Sequence, residues 1–347
     1  MKNKTLPPSP RLDDDPPVEV LFLLLPHSLV LDWAGPAEAL RLANQALQRD
    51  GRPPRFRLRF VGPQAQATGS VGVQIAALEP LPDSLAAPSW VVLVGSPDET
   101  IDLDDAASRA ATHWLRRLAG SFGQQHGNRL ITVCAGALLA GRAGLLAGRR
   151  VTTHHLELDR LAAIEPGCDV LRNRVFVLDD GRDGAVLSSA GITTGIDLAL
   201  HLVAQSCGDA VAARVAQTMV VALRRGPQDP ELSPFLAYRN HLHPALHRVQ
   251  DAVSSQPAHD WTLPAMADIA CTSPRHLNRL FVEHAGIAPL QYLRRIRLAV
   301  AQAALHSGHN VTQAAAVSGF GSDTQLRRAW HQFHQTGTPS GRELPVS

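Results

Sequence analysis

Residues 310–334 read NVTQAAAVSGFGSDTQLRRAWHQFH. The stretch spells a short helix, a glycine turn and a second helix. Asn310 stands where an N-cap belongs, Ser318-Gly319 breaks the first helix, and Ser322 caps the second. In that second helix Leu326, Ala329, Trp330 and Phe333 recur at i, i+3, i+4 and i+7 and form one apolar stripe. At about 100° per residue, Thr324, Arg328 and His331 fall on the opposite face. A short helix pinned by its apolar side, with Thr, Arg and His outward, has the form of a DNA-reading helix.

The unit occurs twice. Ser273–His284 (SPRHLNRLFVEH) has its own stripe at Leu277, Leu280 and Phe281, and its opposite face carries Arg275 and Arg279. A shift of 49 residues maps Arg275 onto Thr324, Leu277 onto Leu326, Arg279 onto Arg328 and Phe281 onto Trp330. Two helix-turn-helix units are therefore expected in one polypeptide, joined by a helix over Pro289–His306. Such a pair suits successive major grooves, roughly 34 Å apart on one face of DNA. Further helices are expected over Pro244–Ser254 and Leu263–Ala270. No strand candidate appears beyond Gly226–Pro234 (GPQDPELSP), whose composition is that of a linker.

Upstream the pattern changes to strands alternating with helices. Val18–Leu25 (VEVLFLLL) is a continuous apolar run suited to a buried parallel strand. Phe56–Val61, Trp90–Val94, Leu130–Val133, Val175–Leu178 and Ala185–Ser188 are further strands, with one more around Val151. Helices are expected over Pro36–Leu47, Ser108–Gln124, Ala137–Leu146, Thr194–Ser206 and Asp209–Leu223. The pattern implies an α/β, doubly wound, mostly parallel sheet covered on both faces, followed by an all-α domain. The expected organisation is a disordered tail at 1–17, an α/β domain at 18–225, a linker at 226–240 and the helical domain at 241–347.

At 347 residues the chain is long enough for two domains. No apolar run reaches the ~18 residues of a membrane span, and the N-terminus has no signal-peptide core. Cys134, Cys168, Cys207 and Cys271 lie without metal or CxxC spacing. A reduced, cytoplasmic protein is therefore expected, with no structural disulfide, no metal and no cofactor. The net charge is +2, but lysine occurs only at positions 2 and 4, so folded-state positive charge is almost all arginine. Arginine offers a planar fork to phosphate or guanine edges. From His241 onward nine Arg stand against six Asp plus Glu, a mild basic bias. Arg294, Arg295 and Arg297 are weaker candidates, either phosphate contacts or a solvated helix face.

One constellation in the first domain carries chemistry. LITVCAGALLAG is a buried strand, a turn at Cys134 and a helix of small residues. A cysteine so placed sits in a nucleophile elbow, where helix N–H groups favour a thiolate. Asp32 follows the first strand, and His154 lies twenty residues after Cys134. All three are expected to converge at the strand ends, where doubly wound sheets bind ligands. Gly95-Ser96, after the strand WVVLV, are expected to line the same crevice with backbone N–H groups. The plainer reading of Cys134 is a small buried residue at a tight turn. His155 and Cys168 are expected as ordinary surface and core positions.

Residues from about 240 to 343 resemble the AraC/XylS family of transcriptional regulators, through SPRHLNRLF, RLAVAQAAL and VSGFGSDTQLRRAW with a later Pro339. The resemblance implies DNA contacts by Arg275, Asn278 and Arg279 in the first unit and by Asp323, Thr324, Gln325 and Arg328 in the second. Helical phase selects four of these independently; Asn278, Asp323 and Gln325 rest on the resemblance. The tail HQFHQTGTPSGREL departs from the family, which has an aromatic-Arg pair after the proline. Residues 18–205 resemble the ThiJ/PfpI, class I glutamine amidotransferase-like superfamily, through LDWAGPAEALRLAN, VCAGALLAGRAGLLAGRRVTTHH and SSAGITTGIDLALHLV. The combination is similar to the GlxA-type regulators.

The superfamily resemblance implies Cys134 as nucleophile, Asp32 as its acid partner and His154 as a third member. Ala135 brings no hydroxyl or imidazole after the cysteine, Asp32 stands where most such enzymes have Glu, and Gly95-Ser96 replaces a glycine pair. These departures favour a ligand pocket without turnover, formed by Asp32, Gly95, Ser96, Cys134, Ala135 and His154, in a regulator of promoter DNA. A small-molecule effector, RNA polymerase and a homodimer formed through the first domain are the expected partners, and no membrane. The alternatives are a cysteine-dependent hydratase or glyoxalase-like enzyme fused to a DNA-binding domain, and a DNA-binding scaffold without ligand response.

Overall fold

In a computed structural model of the chain, residues 16–333 and 339 are described, apart from 87, 98–101, 123–126, 182–183, 222–224, 228 and 230. Most of the tail expected at 1–17 and the divergent segment after Phe333 lie outside the described residues. The chain divides into two compact units, Met1–Glu231 and Leu232–Ser347.

The first unit is built on β1 (Val18–Leu23), whose apolar run places it inside a seven-stranded sheet. The other strands are β2 (Phe56–Gly62), β3 (Glu79–Pro80), β4 (Ser89–Leu93), β5 (Arg129–Val133), β6 (Phe176–Gly181) and β7 (Gly184–Ser189), in spatial order β6-β7-β5-β4-β1-β2-β3. All neighbouring pairs are parallel except the β6–β7 hairpin at one edge. The chain leaves β1 first to β2 on one side and later to β4 on the other, so order reverses between β1 and β4. Such a switch point opens a crevice at the carboxyl ends of the strands. Val151 pairs with Val170 in a separate two-stranded ladder, outside the main sheet.

Helices α1 (Val30–Arg49), α2 (Ala106–Leu118), α3 (Gly136–Arg142), α4 (Leu158–Ile164), α5 (Thr194–Cys207) and α6 (Asp209–Thr218) cover the sheet around one apolar core. The sequence pattern starts α1 at Pro36, but the helix begins six residues earlier and keeps Pro36 inside it. That proline cannot bond the carbonyl of Asp32 four residues back. Close packing offsets the loss. A Cβ on Gly35 would lie 2.8 Å from Ile196 of α5, and one on Gly195 of α5 would lie 3.2 Å from Pro36. The extra turn brings Asp32 into a helix.

The expected linker at 226–240 is largely absorbed by its neighbours. Gly226 N–H donates to Asp229, Asp229 O accepts from Val175 N–H, and Glu231 accepts from His155, all in the first unit. Ser233 caps α7 (Pro234–Ala237), and Phe235 and Tyr238 pack on the core of the second unit. Composition marks the stretch as polar, but its carboxylates find fixed donors.

The second unit is helical: α8 (Pro244–Ser255), α9 (Leu263–Ile269), α10 (Pro274–Ala285), α11 (Pro289–His306), α12 (Val311–Ser318) and α13 (Asp323–Phe333). It holds two cores, not one. Leu246, Val249, Met266, Leu277, Phe281 and Tyr292 belong to the first, and Leu298, Leu305, Ala314, Leu326 and Trp330 to the second. Helix α11 contributes to both, with Tyr292, Leu293 and Ile296 on one side and Leu298, Ala301 and Leu305 on the other. All four cysteines are free, and no helix among the described residues is long and apolar enough to cross a membrane.

Two separate cores should fail separately. Leu326 is fully buried in the second. Leu326→Ala should cost about 2–5 kcal/mol and strip amide-exchange protection from α12 and α13, leaving α8 to α10 protected. Equal loss across both halves would mean that the unit melts as one.

Candidate functional site

Each helix of the two reading units begins at a capped N-terminus. Thr262 accepts from Ala265 N–H, Ser273 from His276 N–H, and Ser322 from Gln325 N–H. Asn310 and Gln313 form a reciprocal capping box. Gly319 ends α12 in the left-handed conformation, with φ 82°. A Cβ there would lie 2.6 Å from Ala258, so only glycine fits the turn. The apolar stripes face inward as their spacing requires: Leu277, Leu280 and Phe281 in α10, and Leu326, Ala329 and Trp330 in α13, are buried.

The outward faces carry the residues expected at DNA. Arg275, Asn278 and Arg279 are exposed on α10, and Thr324, Gln325 and Arg328 on α13. Three of the seven already hold internal partners. Asp323 accepts from Thr312 of α12 at 2.9 Å, and Gln325 accepts from Gly321 N–H at 3.0 Å. Both brace the turn from which α13 projects. Arg279 meets the His276 ring on its own helix at 3.1 Å.

The three arginines of α11 divide. Arg297 donates to the carbonyls of Pro257 and His259, and burial lowers its pKa. Arg295 lies over the rings of Tyr238 and Phe333, 5.9 and 5.0 Å from their centroids. Arg294 alone of the three is exposed. Arg295 and Arg297 therefore serve the fold, a role invisible in helical phase.

In the first unit the strand ends converge on Asp32. Its carboxylate is fully buried. Oδ2 accepts from Gly95 N–H, after β4, at 3.1 Å, and Oδ1 accepts from Ile192 N–H, after β7, at 2.8 Å. The Cys134 side chain, after β5, is a third hydrogen-bond partner. Burial raises the Asp32 pKa to about 6, and the three hydrogen bonds moderate the rise. Gly95 N–H, expected to face a ligand, is thus committed to Asp32; Ser96 beside it is half-buried.

Cys134 has φ 56°, the strained conformation of an elbow. Its N–H donates to Ser189 O, and its carbonyl accepts from Thr153 Oγ1 at 2.8 Å. It is buried, as is Ala135, and the helix behind it, α3, has only seven residues. Crowding explains the small residues here. A Cβ on Gly95 would come within 2.9 Å of Cys134 and Ala135, one on Gly136 within 2.3 Å of Leu93 O, and one on Gly191 within 2.2 Å of Cys134. The structure thus brings Asp32, Cys134 and Gly95 together. His154 follows Thr153, and its ring lies 4.3 Å from that of His155.

The turn Gly191–Thr194 was not selected as a site element by the sequence pattern. Gly191 (φ 100°) and Ile192 (φ 52°) both take positive φ, and Thr194 ties the turn through its hydroxyl. The available signal was a strand–glycine–helix junction, SSAGITTG, in a doubly wound sheet.

The sequence matches two family profiles: the DJ-1/PfpI family over residues 19–205 and a helix-turn-helix domain over residues 266–340. The HTH-type transcriptional regulator GlxA of Rhizobium meliloti is 30% identical over 323 residues, spanning 91% of this chain and 93% of that protein. The HTH-type transcriptional regulator GbdR of Pseudomonas aeruginosa is 25% identical, spanning 91% and 82%. Isonitrile hydratase of Pseudomonas putida is 27% identical over 61% of this chain and 81% of its own. The chain belongs to the DJ-1/PfpI family, among members that carry an AraC-type helix-turn-helix domain and act as DNA-binding transcriptional regulators. The full-length matches are named as regulators, and the hydratase likeness is confined to a smaller share of the chain.

The raised Asp32 pKa gives a pH signature. The folded unit keeps a proton that the unfolded chain loses near pH 4. The stability Asp32 contributes is present in full below about pH 4 and is lost as the pH rises through 6. Relative to Asp32→Asn, wild type should lose on the order of 3 kcal/mol between pH 4 and 7, followed by urea unfolding of the first unit. A difference that stays constant with pH would show that Asp32 ionises as freely folded as unfolded.

Proposed function

We propose that the regulator reads its operator through Arg275, Asn278 and Arg279 of α10 and Thr324 and Arg328 of α13, with Asp323 and Gln325 holding the second helix in register. The exposure of these side chains opposite two buried stripes supports this reading. Two heads on one chain call for two operator boxes about one helical turn apart. Arg328→Ala should weaken operator binding by about 1–3 kcal/mol and relax preference at one base pair. Inserting half a turn between the boxes should weaken wild type as well. Fluorescence anisotropy on an operator library checks both; unchanged affinity and base preference would remove Arg328 from the interface.

We further propose that the crevice around Asp32 and Cys134, edged by Gly95, Ser96, Ala135 and the Gly191–Ile192 turn, binds a small-molecule effector. The single observation carrying this is a buried carboxylate, raised to about 6, at the switch point of the sheet. A carboxyl group held so far from its solvated preference favours a ligand that supplies a hydrogen-bond donor or a positive charge. Amines and amino-acid derivatives are the class to screen. The effector acts by preferring one arrangement of the regulator over another, RNA polymerase reads the outcome at the promoter, and a homodimer formed by the first unit is the assembly proposed.

In a thermal-shift screen of the full chain, a true effector should raise the melting temperature by mass action. It should also change operator affinity, with both effects lost in Asp32→Ala. Stabilisation that leaves operator affinity untouched, or survives that substitution, would exclude this crevice as the sensor.

A further inference from the structure

Sequence spacing suggests no metal site, because the carboxylate concerned is far in the chain from the two histidines. His154 and His155 are neighbours in the loop that follows Val151, and Glu231 lies 76 residues beyond His155. The fold brings them together. The rings of His154 and His155 have centroids 4.3 Å apart. His155 Nδ1 stands 2.8 Å from Glu231 Oε1, and the His155 backbone N–H donates to the same oxygen at 3.1 Å. One potential ligand atom from each of the three side chains lies within 4.8 Å of the other two. The Glu231 side chain is only 7% exposed, against 37% for His155, so the cluster is buried on its carboxylate side and open on its imidazole side.

We propose that His154, His155 and Glu231 form a binding site for a divalent first-row transition metal of the zinc class. Two imidazoles and one carboxylate are a three-ligand set that leaves a fourth tetrahedral position for water or a small anion. Zinc–ligand bonds of about 2.0–2.1 Å place neighbouring ligand atoms roughly 3.3 Å apart. The His155–Glu231 pair therefore opens by about half an ångström when the metal enters between them. His155 Nδ1 must be unprotonated to coordinate, so a ring hydrogen on Nδ1 passes to Nε2 by tautomerisation and the neutral ring keeps one N–H. The His155 backbone N–H stays on Oε1 and keeps the carboxylate aimed, the usual work of an outer hydrogen bond around a metal ligand.

An ion pair alone is the competing account of His155 and Glu231. The three-ligand reading adds His154, one ligand atom of which lies within 4.8 Å of those of the other two. The site has two structural neighbours of consequence. Thr153, next to His154, donates to the carbonyl of Cys134, so the histidine loop is tied to the elbow. Glu231 is the last residue before the chain enters the second unit, so a metal would pin the segment that leads to the DNA-binding helices. The proposal goes beyond effector binding at Asp32 and does not depend on it.

The test is metal titration of the full chain after chelator dialysis. Zinc is followed by competition with a chromophoric chelator and cobalt by its visible absorption. Wild type should bind one equivalent of zinc at micromolar or tighter dissociation constant. His154→Asn and Glu231→Gln should each weaken binding at least tenfold, and His309→Asn, an exposed histidine of the second unit, should not. Both ligand variants are near-isosteric, and circular dichroism with operator binding verifies that they fold. The cobalt spectrum should lack a strong thiolate charge-transfer band. Failure of wild type to bind stoichiometrically, equal affinity in folded ligand variants, or a thiolate band would each overturn the assignment.

Discussion

One buried carboxylate organises the first unit. Asp32 can lie in the interior only if its oxygens are satisfied there, because an unsatisfied buried carboxylate costs several kcal/mol. The donors come from chain segments that leave three other strands: Gly95 after β4, Ile192 after β7 and the Cys134 side chain after β5. Four strand ends are thereby held within bonding distance of one side chain. That closeness dictates the residues around it. Glycine is required where a Cβ would collide, at 95, 136 and 191. Positive φ is imposed on two residues that are not glycine, Cys134 and Ile192. Strain of this kind persists where surrounding structure over-determines it and concentrates at binding sites.

The second unit solves a different problem. Each reading head has a small core, and a core of that size gives little stability by itself. Sharing α11 lets both be buried against one rod. Eighteen residues of helix span about 27 Å at 1.5 Å per residue, long enough for both small cores to be built along it. Arg297 and Arg295 fasten its flanks, the first to the Pro257 and His259 carbonyls and the second between Tyr238 and Phe333. Positive charge that would suit phosphate is used here to hold geometry.

What could be read from the sequence follows from how local each signal is. The α13 stripe, the Asn310 cap and the Gly319 break all lie in the one stretch 310–333, and all appear in the structure. The alternation of buried strands and helices likewise announces the doubly wound sheet. The antiparallel edge strand β6 was not legible, because a hairpin and a crossover present similar apolar runs. Nor was the earlier start of α1, since close packing of Gly35 and Gly195 overrides the habit of proline to open a helix. Cys134 with Asp32 was readable as an elbow motif beside a strand end. The Ile192 donor and the Glu231 partner of His155 were not, because each contact joins positions far apart in sequence.

The energy held at Asp32 bears on how far this site can bias the regulator. A pKa raised to about 6 corresponds to on the order of 3 kcal/mol between the ionised group in place and in water. A ligand that donates a charge-assisted hydrogen bond to Asp32 can recover at most a sum of that order. Coupling between an effector site and a second site is typically about 1–3 kcal/mol, a 5- to 150-fold change in affinity. The single carboxylate therefore has enough to supply a full allosteric response, provided the recovered energy differs between the two arrangements of the regulator. A ligand that relieves Asp32 equally in both binds tightly and regulates nothing.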